Sequence, residues 1–314
     1  MSRRVALLFP GQGSQQVGMG KDLASAYPVA QQTFDEADAA LGFELSRLCF
    51  EGPEDQLKLT ENTQPALLTV STAAFRVWRE KGDTAQFAAG HSLGEYSAHV
   101  AAGTLSFADA VRTVRNRGKY MQEAVPVGQG SMAAILGMAP DAVAQVCAEA
   151  AQSEVVQCAN LNSPEQLVIS GHVAAVQRAV DLAKQRGAKR AIVLPVSAPF
   201  HCALMQPAQD RLAADLRQLE FHDPEFPVIK NIDAEPVTTG EAAREALILQ
   251  VTGAVLWERC VRTLLANSIE LFIEAGVGKV LCGLMRQIER SATCFNIEDS
   301  VSLQKLLAHL EENP

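Results

Sequence analysis

The chain has 314 residues, of which 48% are hydrophobic and 20% charged, and a formal net charge of −9. This composition describes a globular protein and excludes a disordered one. The acidity argues against wrapping nucleic acid, which needs a concentrated basic surface, and no apolar stretch approaches the ~20 residues that span a bilayer.

The N-terminus, Ser2-Arg3-Arg4 followed by the apolar run Val5 to Phe9, imitates a secretory leader. The run stops at Pro10-Gly11, short of the ~7–15 residues such a leader needs, and reads as a first buried strand. Residues 64–80 read as a helix and 87–89 as a short strand entering Gly90, with a small-residue helix over 93–102. Ser106 to Val125 reads as a helix capped by Ser106, with Asp109 three residues on. The middle of the chain then changes rhythm. Strands are expected at 131–138, 155–160, 166–170 and 190–196, and helices at 141–151 and 173–186. That order is β-α-β-β-α-β, the ferredoxin-like arrangement. Late strands are expected at 269–274 and 292–297. The fold class is therefore α/β: a large domain with a mainly parallel sheet, residues 1–126 and 198–314, carrying a ferredoxin-like insertion at 127–197.

The seven cysteines, Cys49, Cys147, Cys158, Cys202, Cys260, Cys282 and Cys294, are odd in number and scattered. Without a Cys-x-x-Cys pair they predict reduced thiols in a cytoplasm, with neither a disulfide frame nor a zinc site. Glycines 11, 13, 18 and 20 suggest a phosphate loop, but the patterns fail: a loop ending at Gly20-Lys21 would need glycine at Gln15 and a hydroxyl at Asp22, and a dinucleotide fingerprint from Gly11 would need a small residue at Gln16. These glycines either shape a tight turn or bring Gln12 up to a reacting group.

Gly90-His91-Ser92-Leu93-Gly94 fits G-x-S-x-G and lies between a strand and a helix, the context of a nucleophile elbow. Both glycines would let strand and helix approach, and Ser92 would lie where helix N–H groups, notably that of Leu93, can hold an oxyanion. A serine needs a base. His91 is expected to point away. His201, in the proline-rich stretch Val196 to Cys202, is a base or an ordinary loop residue, and no acid stands out as a triad partner. On the 106–125 helix, Arg117 lies roughly 60° from Val114 of the apolar stripe, nearer the buried edge than the other cations. It is either a snorkelling surface arginine or a fixed fork for a carboxylate.

Together these residues resemble the malonyl-CoA:acyl-carrier-protein transacylases of type II fatty acid synthesis. The resemblance runs over essentially the whole chain. It rests on Phe9-Pro10-Gly11-Gln12-Gly13-Ser14-Gln15, Gly90 to Tyr96, Arg115-Asn116-Arg117-Gly118-Lys119-Tyr120-Met121, Asn162 to Gln166, Pro199-Phe200-His201 and Gln250-Val251-Thr252. It implies acylation of Ser92 with His201 as base, a backbone carbonyl near Gln250 orienting the histidine, and an oxyanion hole from Gln12 and the Leu93 N–H. It also implies that Arg117 grips the malonyl carboxylate and that Gln250, Met121 and Phe200 belong to the substrate site. Phe200 resembles the phenylalanine of malonyl-selective polyketide acyltransferases. Asn162 is a site residue or a turn former. The implied partners are malonyl-CoA and holo-acyl carrier protein; no cofactor, metal, nucleic acid or membrane is expected, and the enzyme is expected as a cytoplasmic monomer. Because carrier proteins are acidic, Arg186, Lys189 and Arg190 are the candidate docking patch.

Overall fold

Strand β1 (Val5–Phe9) carries only apolar side chains and is buried along its length, as a central strand covered on both faces must be. It lies within the larger of two sheets in the computed structural model, which describes residues 3–82, 84–196 and 198–312. After it come α1 (Lys21–Ala26), α2 (Pro28–Leu41), α3 (Leu45–Glu51), α4 (Glu54–Leu57) and the long α5 (Thr60–Arg79). Helix α5 is buried on most of its surface, Gln64 and Pro65 included. Strand β2 (Phe87–Gly90) turns sharply into α6 (Leu93–Ala101). Helix α7 (Phe107–Glu123) follows, capped by the Ser106 hydroxyl, which accepts from the Asp109 N–H at 3.1 Å.

The chain next makes β3 (Gly130–Leu136), α8 (Pro140–Ala151), β4 (Val156–Ser163), β5 (Gln166–His172), α9 (Val173–Gln185) and β6 (Arg190–Val193). The strands form a four-stranded antiparallel sheet in the order β4-β5-β3-β6. Ala133, Ile135, Leu167 and Ile169 of that sheet share one apolar core with Val143, Val146, Val176 and Val180 of α8 and α9.

It then returns through α10 (Gln206–Leu216), β7 (Val228–Ile229), β8 (Pro236–Val237), α11 (Gly240–Leu249), α12 (Trp257–Ala266), β9 (Leu271–Ala275), α13 (Val280–Ile288), β10 (Thr293–Ile297) and α14 (Ser300–Glu312). The large sheet runs β10-β9-β1-β2-β7-β8, parallel except for the last pair. Phe9 pairs with Gly90, so β1 and β2 end side by side. The segments just beyond them, with Gln12 and Ser92, therefore share the carboxyl edge of the sheet, where ligands of open α/β folds bind. A second seam links the sheets: the Val255 N–H donates to Ala159 O at 2.8 Å and the Leu161 N–H to Val255 O at 2.9 Å, an isolated parallel bridge centred on Asn160 of β4.

Strands β4 and β6 depart furthest from where they were expected to end. β4 continues to Ser163 because its polar residues pair with β5 and with Val255. β6 ends at Val193; the Leu194 N–H still reaches Met132 O, but Pro195 has no N–H to continue the ladder. The cysteines correct the expectation of reduced thiols throughout. Cys282 and Cys294 are disulfide-bonded, their Cα atoms 5.5 Å apart. They meet because α13 lies against β10, an adjacency that no local motif announces. Cys49, Cys147, Cys158, Cys202 and Cys260 are free. No helix among the described residues is long and apolar enough to cross a membrane.

Candidate active site

Ser92 stands between β2 and α6 with φ 53° and ψ −108°, a conformation that an L-residue keeps only where its surroundings enforce it. A Cβ on Gly90 would lie 1.9 Å from Gly94 C, and one on Gly94 would lie 2.0 Å from Phe9 O. Glycine at both places is thus what allows β1, β2 and α6 to meet. Asn231, in the loop after β7, clamps the turn from both sides: its Oδ1 accepts from the Ser92 N–H and its Nδ2 donates to Gly90 O, each at 2.7 Å. Leu93 is the first residue of α6, so its N–H is one of those a helix leaves without an internal partner.

The Ser92 hydroxyl lies 2.6 Å from His201 Nε2. His201 is buried, and its φ of 57° is also in the left-handed region. Its Nδ1 faces two main-chain oxygens, Gln250 O at 3.0 Å and Gly253 O at 3.1 Å. Since a carbonyl only accepts, Nδ1 carries the proton and Nε2 presents its lone pair to the serine. Two carbonyls thus stand where a triad carboxylate would. Burial, and after it the Arg117 charge, push the His201 pKa down to about 3, so the free ring is neutral. His91 turns the other way, its Nε2 2.8 Å from Asn162 Oδ1.

Arg117 is 1% exposed. It donates from Nη1 to Gln64 Oε1 at 2.8 Å and from Nη2 to Gln250 Oε1 at 2.9 Å and Ser92 Oγ at 3.2 Å. Its Nε has no hydrogen-bond partner, and none of the ion pairs among the described residues includes it. A fully buried cation without an anion in contact is costly, and this one borders the cavity in front of Ser92. Gly118 makes the position reachable: a Cβ there would lie 2.6 Å from Thr60 O, so only glycine lets α7 approach the start of α5, where Gln64 sits.

The cavity holds about 750 Å³ and is lined by Gln12, Ser92, Arg117, Met121, Asn162, Phe200 and His201 among others, with β4, β5 and the segment after β6 forming one wall. The acyl transferase domain model matches residues 6–306. The malonyl CoA-acyl carrier protein transacylase of Escherichia coli strain K12 is 50% identical over 303 residues, covering 96% of this chain and 98% of that one. The chain belongs to the malonyl CoA-acyl carrier protein transacylase family. A solved transacylase of Coxiella burnetii superposes with a TM-score of 0.96 at 44% identity, covering 98% of each chain. A malonyl-transacylase solved in complex with its type II PKS acyl-carrier protein superposes at 0.95 and 46% identity, covering 98% of this chain and 99% of that one.

Within the transacylase chain the sequence candidates fall into two groups. Ser92, His201, Arg117 and Gln250 form one hydrogen-bonded unit, although Gln250 is fully buried behind Arg117 and His201 and does not line the cavity. Gln12, Met121, Phe200 and Asn162 line the cavity; Gln12 Nε2 lies 3.4 Å from Thr60 Oγ1 and Met121 Sδ 3.9 Å from Gln64 Nε2. The basic cluster is partly neutralised, since Arg186 pairs with Glu149 and Lys189 with Glu165 at 2.9 Å. Asn231, Gln64 and Glu95 were not among the site candidates read from the sequence. Glu95 is wholly buried, and its Oε2 accepts from Gln250 Nε2 at 2.7 Å and from the Asn231 N–H at 3.0 Å. Burial pushes its carboxyl up to about 7, against the pull of those hydrogen bonds and of Arg117.

Proposed function

We propose that this enzyme moves a malonyl group from malonyl-CoA to the phosphopantetheine thiol of an acyl carrier protein through a malonyl ester on Ser92. The observation that carries the reading is the buried Arg117, 3.2 Å from the serine hydroxyl and in no ion pair among the described residues: a neutral acyl group would leave it without a counter-ion, whereas a malonyl carboxylate gives it one. The Ser92 oxygen attacks the thioester carbon while His201 Nε2 takes the hydroxyl proton. The tetrahedral oxyanion is held by the Leu93 N–H and Gln12. The Ser92 N–H, already given to Asn231, is not part of that hole. Collapse breaks the carbon–sulfur bond, and coenzyme A leaves with the proton from His201. The carrier thiol then gives its proton to His201, attacks the ester carbon and returns the serine. Losing one oxyanion donor costs about 10²–10³ in rate.

The substrate also helps the base. Arg117 is the second cause of the low basicity of His201. A bound carboxylate offsets that charge and raises the affinity of Nε2 for the proton when the correct acyl group is present.

The same reading assigns residues 127–197 to a ferredoxin-like subdomain that walls the cavity, and 1–126 with 198–314 to a hydrolase-like body. It treats the chain as a cytoplasmic monomer. Brief mixing with malonyl-CoA followed by intact-mass measurement tests the chemistry: one malonyl adduct is expected on the wild type and none on Ser92→Ala. An unmodified wild type would overturn the reading.

A further inference from the structure

Gln250 can present either end of its amide to Arg117, and only one end suits a cation. Its Nε2 donates to Glu95 Oε2 at 2.7 Å and to Ser92 O at 2.9 Å, which leaves Oε1 to accept from Arg117 at 2.9 Å. A flipped amide would set an NH2 group against the guanidinium and lose all three bonds. The same Glu95 oxygen accepts from the Asn231 N–H, and the Asn231 side chain clamps Ser92 N and Gly90 O. One buried oxygen atom therefore holds both the partner of the arginine and the brace of the serine turn. Among the described residues Glu95 Oε1 has no hydrogen-bond partner, so Oε2 carries the connection.

We propose that Glu95 is a positioning residue for acyl selection: acting through Gln250, it fixes the direction in which Arg117 faces the acyl group on Ser92. The inference rests on Arg117 as the partner of the malonyl carboxylate. It differs from two simpler roles. As a bare charge, Glu95 would repel a malonyl carboxylate, and its neutralisation would strengthen the preference for malonyl over acetyl. As a structural brace alone, its loss would slow both acyl groups equally.

Glu95→Gln keeps the shape and, with its oxygen held toward the Asn231 N–H, offers Gln250 Nε2 a neutral acceptor in place of a carboxylate, so the amide is held less firmly one way. The expected result is a fall in the malonyl-over-acetyl ratio of kcat/KM by about tenfold to a hundredfold, the value of a hydrogen bond to a charged group. Acetyl transfer should change less than malonyl transfer. In an Arg117→Ala background the same substitution should leave the ratio where Arg117→Ala alone puts it, because the two act as one unit. An unchanged or rising ratio in Glu95→Gln would overturn the proposal, as would a further fall in the double variant. If Glu95→Gln does not fold, Glu95→Asp, which withdraws the acid from Gln250 by one methylene, is read by the same ratio. A wild type without malonyl preference would instead count against the reading of Arg117 itself.

Discussion

On the proposed reading Arg117 is the residue on which selection turns, and its environment sets the size of the effect. Removing one partner of a buried charge pair costs about 3–5 kcal/mol. Arg117→Ala should therefore lower malonyl transfer about 10²–10³-fold or more while changing acetyl transfer far less, as steady-state kinetics with both donors would show. An equal loss for the two would remove Arg117 from acyl recognition. The turn that carries Ser92 was legible in the sequence because its signal is local, two glycines around a serine between strand and helix, whereas Arg117, beside an apolar helical stripe, was left open between a surface arginine and a buried fork. His201 was half legible, as a histidine in a loop. Glu95, Asn231 and Gln64 were not, because what they do depends on bonds spanning 155, 139 and 53 residues respectively, and no spacing rule encodes those.

At the level of elements, glycine decides how closely helices approach the sheet and each other. In Gly118→Ala the new Cβ would meet Thr60 O at 2.6 Å, and since both partners are helix backbone, α7 must move from α5. A stability loss of about 1–3 kcal/mol is expected, measured by urea denaturation. The displacement also carries Arg117 away from Gln64, so malonyl preference should weaken together with stability. Full stability and preference would show that the contact relaxes without moving the helix. Long periodic elements such as α5, α7 and α9 were readable from their apolar spacing. β7 and β8, two residues each, were not, because strands that short owe their existence to neighbours already in place. The Cys282–Cys294 link was hidden for the same reason: it follows from α13 lying on β10.

For the whole molecule, buried titratable groups set opposing responses to acid. Burial lowers His99 and His201 from 6.5 to about 3. The unfolded chain then binds more protons than the folded one in that window, and stability falls as pH drops through it. Burial raises Glu95 and Glu274 from 4.5 to about 7, so the folded chain binds more protons there, and stability falls as pH rises through that window. The two trends oppose one another between 4.5 and 6.5. Below 4.5 the histidines act without that opposition, joined by hydrogen-bonded carboxylates such as Asp109, whose pKa is lowered chiefly by Ser106. A Tm series against pH should be nearly flat from 4.5 to 6.5 and drop steeply below; a continuous rise from 3 to 7 would mean that the glutamates are not buried as described. The seam between β4 and Val255 has a mechanical consequence. It fastens the smaller sheet to Val255, just beyond the segment that ends in Gly253 and whose two carbonyl oxygens, of Gln250 and Gly253, face His201 Nδ1. Any swing of that sheet that widened the cleft would pull the imidazole off the serine. Width of the cleft and aim of the base are thus tied to one another, and an acyl donor entering the cavity is expected to find the imidazole in place only while that bridge holds.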